Sequence, residues 1–137
     1  MRNEIILTEV DYVRLNSLIY RLLGKDNQDI RALNFLNIEI KRAKKIYPRK
    51  IMPDFVTMDS HIEVKFLETG KTRELKLVYP QNANYEEGLI SVLSPLGCAL
   101  LGFKAGDSVT FEETGRTQTA RIEKVLFQPE ANGEDLL

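Results

Sequence analysis

The first fifty residues carry apolar side chains at steps of three and four, the spacing that is typical of amphipathic helices. One stripe comprises Tyr12, Leu15, Leu18, Ile19 and Leu22. A second stripe begins near Asp29 and comprises Ile30, Leu33, Leu36, Ile40, Ala43 and Tyr47. We expect Thr8 to cap the first helix with Asp11 answering it, and Gly24 to end that helix with a positive φ. A loop of about five residues connects the two predicted helices, and so short a connection predicts an antiparallel helical hairpin.

Beyond Pro48 and Pro53 the hydrophobic period changes to two, which indicates strands. Residues 55–58 are expected to form a short strand. Residues 62–66 and 75–79 then alternate on either side of a turn at 69–71, so they predict a β-hairpin with one buried face. A polar loop follows at 80–88. A final hairpin is predicted to turn at 114–116.

The longest apolar run lies between residues 89 and 111, and it predicts a strand, a short helix, a tight turn and another strand. Ser94 precedes Pro95, the order expected of an N-cap followed by proline at the first helical position. Gly102 is expected to end the helix with a positive φ. The sum is an α+β protein, with an N-terminal antiparallel two-helix coiled-coil hairpin in residues 1–50 and a C-terminal antiparallel sheet with one short helix in residues 51–137.

Composition narrows the class of protein. Hydrophobic residues make up 43% and charged residues 28% of the chain, as in soluble globular proteins. No apolar run approaches the roughly 18 residues that a membrane span needs, and no signal peptide is evident. A single cysteine excludes an intramolecular disulfide. We therefore expect a cytoplasmic protein that makes no membrane contact.

The net charge of −1 conceals two halves of opposite sign. Residues 1–50 hold 11 Lys and Arg against 6 Asp and Glu, whereas residues 51–137 hold 8 against 14. An acidic sheet half would be repelled by phosphate, so we expect no sequence-specific nucleic-acid binding. The cations at the end of the second helix are Lys41, Arg42, Lys44, Lys45, Arg49 and Lys50. They fit either a favourable interaction with the helix dipole or a basic patch for an acidic partner surface.

Candidate catalytic groups are few. His61 is the only histidine and Cys98 the only cysteine, so neither has the neighbours that a metal site or an activated nucleophile needs. We expect a solvated strand residue and a buried thiol. No Gly-rich phosphate-binding motif is present, which argues against kinase or NTPase chemistry. The sequence thus predicts no enzyme and no cofactor.

The connection between the two predicted helices contains Asp26 and Asp29, three residues apart. Two carboxylates at this spacing can face one way on a helical turn and share a hard cation with outside ligands. The alternative is structural, since Asp26 suits a turn and Asp29 suits the start of the second helix. Both interpretations stay open at this point.

Several ordered motifs resemble those of the GreA/GreB transcript-cleavage factors. The main one is Ser94-Pro95-Leu96-Gly97-x-Ala99-Leu100-Leu101-Gly102-x-x-x-Gly106-Asp107. Others are residues 52–60, 77–80, 128–131 and 135–137. The whole chain is more similar still to short members of this family described as regulators of nucleoside diphosphate kinase. The resemblance implies an FKBP-like fold for the sheet half, although no motif matches the aromatic floor of a prolyl isomerase site.

The resemblance also implies a function: a non-enzymatic bacterial transcription regulator whose partner is RNA polymerase. The region of Ser94, Pro95 and Leu96 would dock on the rim of the secondary channel, unless Ser94-Pro95 merely starts a helix. The hairpin would enter the channel, compete with Gre-type factors, and contact nucleic acid only within the elongation complex. Effects on nucleoside diphosphate kinase would be indirect.

Two alternatives belong to other classes. One is a transcript-cleavage stimulator whose Asp26 and Asp29 hold Mg²⁺ shared with the polymerase. The other is a general interaction adaptor with a different helical partner, which would require an exposed apolar seam.

Overall fold

The computed structural model describes residues 4–25 and 29–134. Its helices are α1 (Glu9–Leu23), α2 (Ile30–Arg42) and α3 (Pro95–Leu100). Its strands are β1 (Ile6–Thr8), β2 (Lys44–Ile46), β3 (His61–Phe66), β4 (Lys71–Val78), β5 (Leu89–Ser91), β6 (Ser108–Glu113) and β7 (Arg116–Phe127). Within these residues, no helix is long and apolar enough to cross a bilayer.

The N-terminal half forms the predicted helical hairpin. Strand β1 leads into α1, and α2 leads into β2, which pairs with β1 in parallel from Ile6 opposite Lys44 to Thr8 opposite Ile46. Because the chain leaves and returns beside itself, the two helices run antiparallel. The predicted stripes supply the buried side chains Leu15, Leu18, Ile19, Leu33, Leu36 and Ile40.

Two details of the hairpin differ from the prediction. Helix α2 ends at Arg42, because the Lys44 N–H donates to the Ile5 carbonyl at 2.9 Å and the chain continues as a strand. Tyr47, expected on the helical stripe, therefore lies beyond β2 and is 61% exposed. Gly24 does end α1, but with a φ of −90°, so no left-handed conformation is needed there.

The C-terminal half is a five-stranded sheet in the order β5-β4-β3-β7-β6. Both predicted hairpins are present, and their turns place Gly70 and Gly115 at positive φ. The sheet is mixed rather than wholly antiparallel, because β5 pairs with β4 in parallel. Residues 55–58 form no strand; Phe55 makes only an isolated bridge with Lys104. The α+β arrangement itself is confirmed.

Helix α3 begins and ends as predicted. The Ser94 hydroxyl accepts a hydrogen bond from the Gly97 N–H at 3.1 Å, Pro95 occupies the first turn, and Gly102 has a φ of +84°. The Gly102 carbonyl then accepts the Ile6 N–H at 3.1 Å. The end of α3 is therefore also the place where β1 joins the sheet half.

One hydrophobic core contains side chains from both halves. Ile5 and Leu7 are almost fully buried together with Leu100 and Leu101. Because this core is shared by both halves, the proposed domain boundary between residues 50 and 51 remains a prediction.

Candidate functional site

The base of the hairpin is joined to the sheet half by Asp11. Its backbone N–H donates to the Thr8 hydroxyl at 3.0 Å, which confirms Thr8 as the cap of α1. Its carboxylate, however, is 3% exposed and accepts the Met58 N–H at 2.9 Å, from the loop that precedes β3. Asp11 is therefore a buried link between α1 and the sheet half, a role that the sequence analysis missed.

The environment of Asp11 disfavours its charged form. Burial raises its pKa to about 7, and the nearby carboxylates of Glu130 and Asp59 add to this effect. The Met58 hydrogen bond and the charge of Arg14 act in the opposite direction but are outweighed. Near neutral pH the link therefore changes between a neutral and a charged state.

The C-terminal segment is fastened to the same loop. The Thr57 hydroxyl donates to Glu130 Oε1 at 2.7 Å. Gln128 Nε2 donates to the carbonyls of Met52 and Phe55, each at 2.8 Å. The loop that carries the Met58 N–H is thus held from two sides: by Asp11 of α1, and by Gln128 and Glu130 of the C-terminal segment.

A groove of about 410 Å³ opens beside this link, between α1 and the sheet half. Its charged lining comprises Arg14, Lys76, Asp59, Glu130 and Glu134, with Asp11 at its inner end. Burial also raises the pKa of Asp59, against the lowering effect of Lys76 and Arg14. The junction therefore brings together one buried carboxyl group and several charged side chains on the wall of the same groove.

The predicted docking region lies at the start of α3. Pro95 is exposed and Ser94 partly exposed, but Leu96 is only 5% exposed and packs in the core. Leu96 therefore cannot serve as a surface anchor, because apolar packing already uses its side chain. The Ser94 hydroxyl caps α3 and donates to the Ser91 carbonyl at 2.7 Å. The helix-start interpretation is thus confirmed, whereas docking remains a prediction for the exposed part of this region.

The six predicted cations belong to three different elements, and a basic patch for an acidic partner remains a prediction. Arg42 pairs with Glu39 at 3.0 Å, and Lys45 Nζ donates to the Lys41 carbonyl at 2.8 Å, close to the C-terminus of α2. Lys44 and Lys45 are adjacent in a strand, so their side chains lie on opposite faces. Two further cations, Arg49 and Lys50, lie beyond β2 in a separate 3₁₀ turn. The interaction with the helix end therefore applies to Lys41, Arg42 and Lys45.

At the tip of the hairpin, Asp29 caps α2. Its Oδ1 accepts the N–H groups of Arg31 at 3.0 Å and Ala32 at 3.2 Å, which confirms the structural interpretation of this residue. Asp26 lies outside the described residues. Within residues 4–25 and 29–134, no group of three or more His, Cys, Asp or Glu side chains could hold a metal ion.

The two single candidates have ordinary surroundings. His61 Nε2 lies 3.4 Å from Glu74 Oε1 on the sheet surface, with both side chains substantially exposed. Cys98 is a buried thiol in α3. Neither belongs to the cluster at the hairpin base.

Comparison with known sequences covers the whole chain. The family model for transcription elongation factor GreA/GreB, C-terminal part, matches residues 51–127. The regulator of nucleoside diphosphate kinase from Escherichia coli strain K12 is 33% identical over 137 residues, which is 99% of this chain and 98% of that protein. Transcription elongation factor GreA from Thermodesulfovibrio yellowstonii is 32% identical over 93 residues, 68% of this chain and 59% of that protein.

A solved structure extends the likeness to three dimensions. It is described as a prokaryotic transcription elongation factor GreA/GreB from Nitrosomonas europaea. It aligns with a TM-score of 0.73 at 28% identity and covers 92% of this chain and 100% of its own. The similarity therefore includes the hairpin as well as the sheet.

Proposed function

Because the chain belongs to the GreA/GreB family of transcription elongation factors, we propose that it regulates transcription by binding RNA polymerase at the secondary channel, without catalytic activity of its own. The observation that carries this proposal is the mounting of the hairpin. Three hydrogen bonds join it to the sheet half or close its base: Ile6 to Gly102, Lys44 to Ile5, and Met58 to Asp11. A firmly based arm is what insertion into a channel requires.

The dimensions of the arm favour occupancy over chemistry. Helix α1 has 15 residues and α2 has 13, so the arm extends about 20–22 Å at about 1.5 Å per residue. The aligned GreA from Thermodesulfovibrio yellowstonii is longer, since the match covers 59% of it. A short arm fills the entrance of a channel and thereby competes with Gre-type factors for the same position.

An effect on nucleoside diphosphate kinase, which the name of the Escherichia coli relative mentions, would be indirect in this proposal. The polymerase is the partner, and altered transcription changes the amount of the kinase. No direct chemistry on nucleotides is required, in keeping with the lack of a Gly-rich phosphate-binding motif.

A pull-down of RNA polymerase by the purified chain tests the docking surface. We expect the parent chain to retain polymerase and Pro95→Glu to lose most of this retention, because a charge would replace an exposed apolar group. Glutamate suits the first turn of a helix, so α3 should persist. Substitution of Leu96 is unsuitable, because a buried charge would unfold the protein.

Pro80→Glu is the matched control, since Pro80 also opens a short helical turn but lies outside the predicted docking region. It should retain polymerase as the parent does. If the parent chain retained no polymerase, the proposed function would be wrong. Equal retention by the parent and Pro95→Glu would relocate the docking surface.

A stalled elongation complex separates occupancy from transcript cleavage. We expect the chain to produce no cleavage products in the presence of Mg²⁺, and to reduce the cleavage produced by an added Gre factor. Asp29 is already engaged as a cap, and releasing it would cost about 1 kcal/mol. Products that appear with the parent but not with Asp26→Asn/Asp29→Asn would favour the cleavage alternative. Asparagine is used because it also caps helices, so helix loss would not confuse the result.

A further inference from the structure

Two lysines converge on one tyrosine at the base of the hairpin. Lys41 Nζ lies 5.5 Å and Lys45 Nζ 4.7 Å from the centroid of the Tyr12 ring, distances at which an ammonium group is attracted to an aromatic face. Lys41 Nζ also donates to Tyr12 Oη and to Asn16 Oδ1, both at 3.2 Å. Lys45 Nζ is fixed by the Lys41 carbonyl at 2.8 Å. Both ammonium groups are thus held in place by neutral partners.

This arrangement concentrates positive charge that no carboxylate among the described residues neutralises, although the C-terminal end of α2 stabilises it in part. In the part of the chain that the structure describes, neither Lys41 nor Lys45 forms a salt bridge. An ammonium group has three N–H donors. Lys41 uses two of them on Tyr12 and Asn16, and Lys45 uses one on the Lys41 carbonyl. The remaining donors and the mutual repulsion of the two charges both favour a bound anion.

The surroundings favour a carboxylate on a protein segment over an extended row of phosphates. Lys44 lies on the opposite face of β2, and Arg42 is paired with Glu39. Lys50 lies 5.9 Å above the ring of another tyrosine, Tyr47. The cations of this region are therefore divided among separate sites, and residues 51–137 are net acidic. Two cations therefore face this site among the described residues, which suits one or two carboxylates and gives a long row of phosphates few partners.

We propose that Tyr12, Asn16, Lys41 and Lys45 form a binding site for a carboxylate side chain in an acidic protein segment. The lysines supply the charge, and Tyr12 and Asn16 hold them in position so that little side-chain entropy is lost on binding. This site goes beyond the proposed channel binding, since it adds a carboxylate-binding function at the base of the hairpin that an acidic protein segment can occupy.

Titration of the full chain with a capped oligoglutamate peptide tests the site, with the Asn16 side-chain amide and the lysine ammonium groups followed by NMR. We expect saturable shifts at Asn16, Lys41 and Lys45. Lys45→Met, which keeps most of the aliphatic stem, should weaken binding about fivefold, as expected for loss of one exposed ion pair. Lys104→Met is the matched control, because Lys104 also lies above an aromatic ring, that of Phe55 at 6.0 Å, but alone. It should leave the affinity unchanged.

Equal affinities of the parent, Lys45→Met and Lys104→Met, or no shifts at the three residues, would overturn the site. If a single-stranded oligonucleotide of the same charge bound more tightly than the peptide, the preferred ligand would be a phosphate and not a carboxylate. Unfolding curves of each variant separate loss of binding from loss of structure, and Lys45→Gln serves if the Met variant is less stable. The assay contains no polymerase, so its outcome is independent of the proposed channel binding.

Discussion

Asp11→Asn should make the protein more stable above neutral pH and remove a component of its pH dependence. The buried carboxyl has a pKa of about 7 in the folded state, against 3.8 for its ordinary value. Between these two pH values the folded state holds a proton that the unfolded state has lost, so stability falls as the pH rises. Below about 3.8 both states are protonated, and above about 7 the penalty of the buried charge is complete.

Asparagine keeps an oxygen for the Met58 N–H but cannot ionise. From about pH 5 to about pH 8, we expect the free energy of unfolding of the parent to fall by about 2–3 kcal/mol relative to Asp11→Asn. Urea unfolding at several pH values measures this difference. The groups that face Asp11, namely Glu130, Asp59 and Arg14, are present in both proteins, so their contributions largely cancel.

Asp54→Asn is the control for this experiment, since Asp54 is an exposed carboxyl close to the same loop. Its unfolding should follow the parent at every pH. A parent and an Asp11→Asn variant that change in parallel would show that Asp11 is charged and adequately solvated in the folded protein. The link between hairpin and sheet would then not depend on protonation.

Gly97→Ala should cost at least about 3 kcal/mol of stability, although alanine is the better helix former. A Cβ at this position would lie 2.0 Å from the Ser91 carbonyl oxygen and 2.8 Å from its carbon, both backbone atoms. No side-chain movement can relieve such a contact, so α3 must shift. The shift would also break the Ser94 cap on the Gly97 N–H, worth about 1 kcal/mol. Denaturant unfolding measures the loss.

Gly24→Ala provides the matched comparison, because nothing lies within 4 Å of its added Cβ and its φ of −90° suits any residue. We expect a change of no more than about 0.5 kcal/mol. If Gly97→Ala were as mild as Gly24→Ala, the close approach of α3 to the 91–94 turn would be absent in solution. This approach gives a physical reason for glycine in the Ser94-Pro95-Leu96-Gly97 motif.

Local patterns predicted the elements that local forces determine. The spacing of apolar residues at three and four positions predicted the helices of the hairpin, and the Ser94-Pro95 pair predicted the start of α3. The predicted end of α2 was wrong. Ala43 and Tyr47 continue the helical spacing, but the pairing of Lys44 with β1, nearly forty residues earlier in the chain, overrides it. The parallel pairing of β4 with β5 was missed for the same reason. The alternation of apolar and polar residues along a strand shows which face is buried, but it does not show which strand will pair with it.

The junction could have been found in part. Asp11 precedes Leu15 by four residues and Leu18 by seven, which places it on the buried stripe of α1. A carboxylate on such a stripe must find a partner, and that requirement was a usable signal. Its partner, the Met58 N–H, could not be named, because the contact joins residues 47 positions apart. The placement of Lys44 and Lys45 on opposite faces could not be predicted either, because strand β2 itself was not expected.

The parallel pairing of β1 and β2 makes the reach of the arm adjustable. Both ends of the hairpin leave the body at neighbouring points, so whatever lies between residues 9 and 42 behaves as a cassette. Seven residues added to each helix would lengthen it by about 10 Å and preserve the apolar seam, while neither attachment point would change. Selection can therefore set how deeply such a probe penetrates its target by insertion or deletion alone, with no redesign of the platform that carries it.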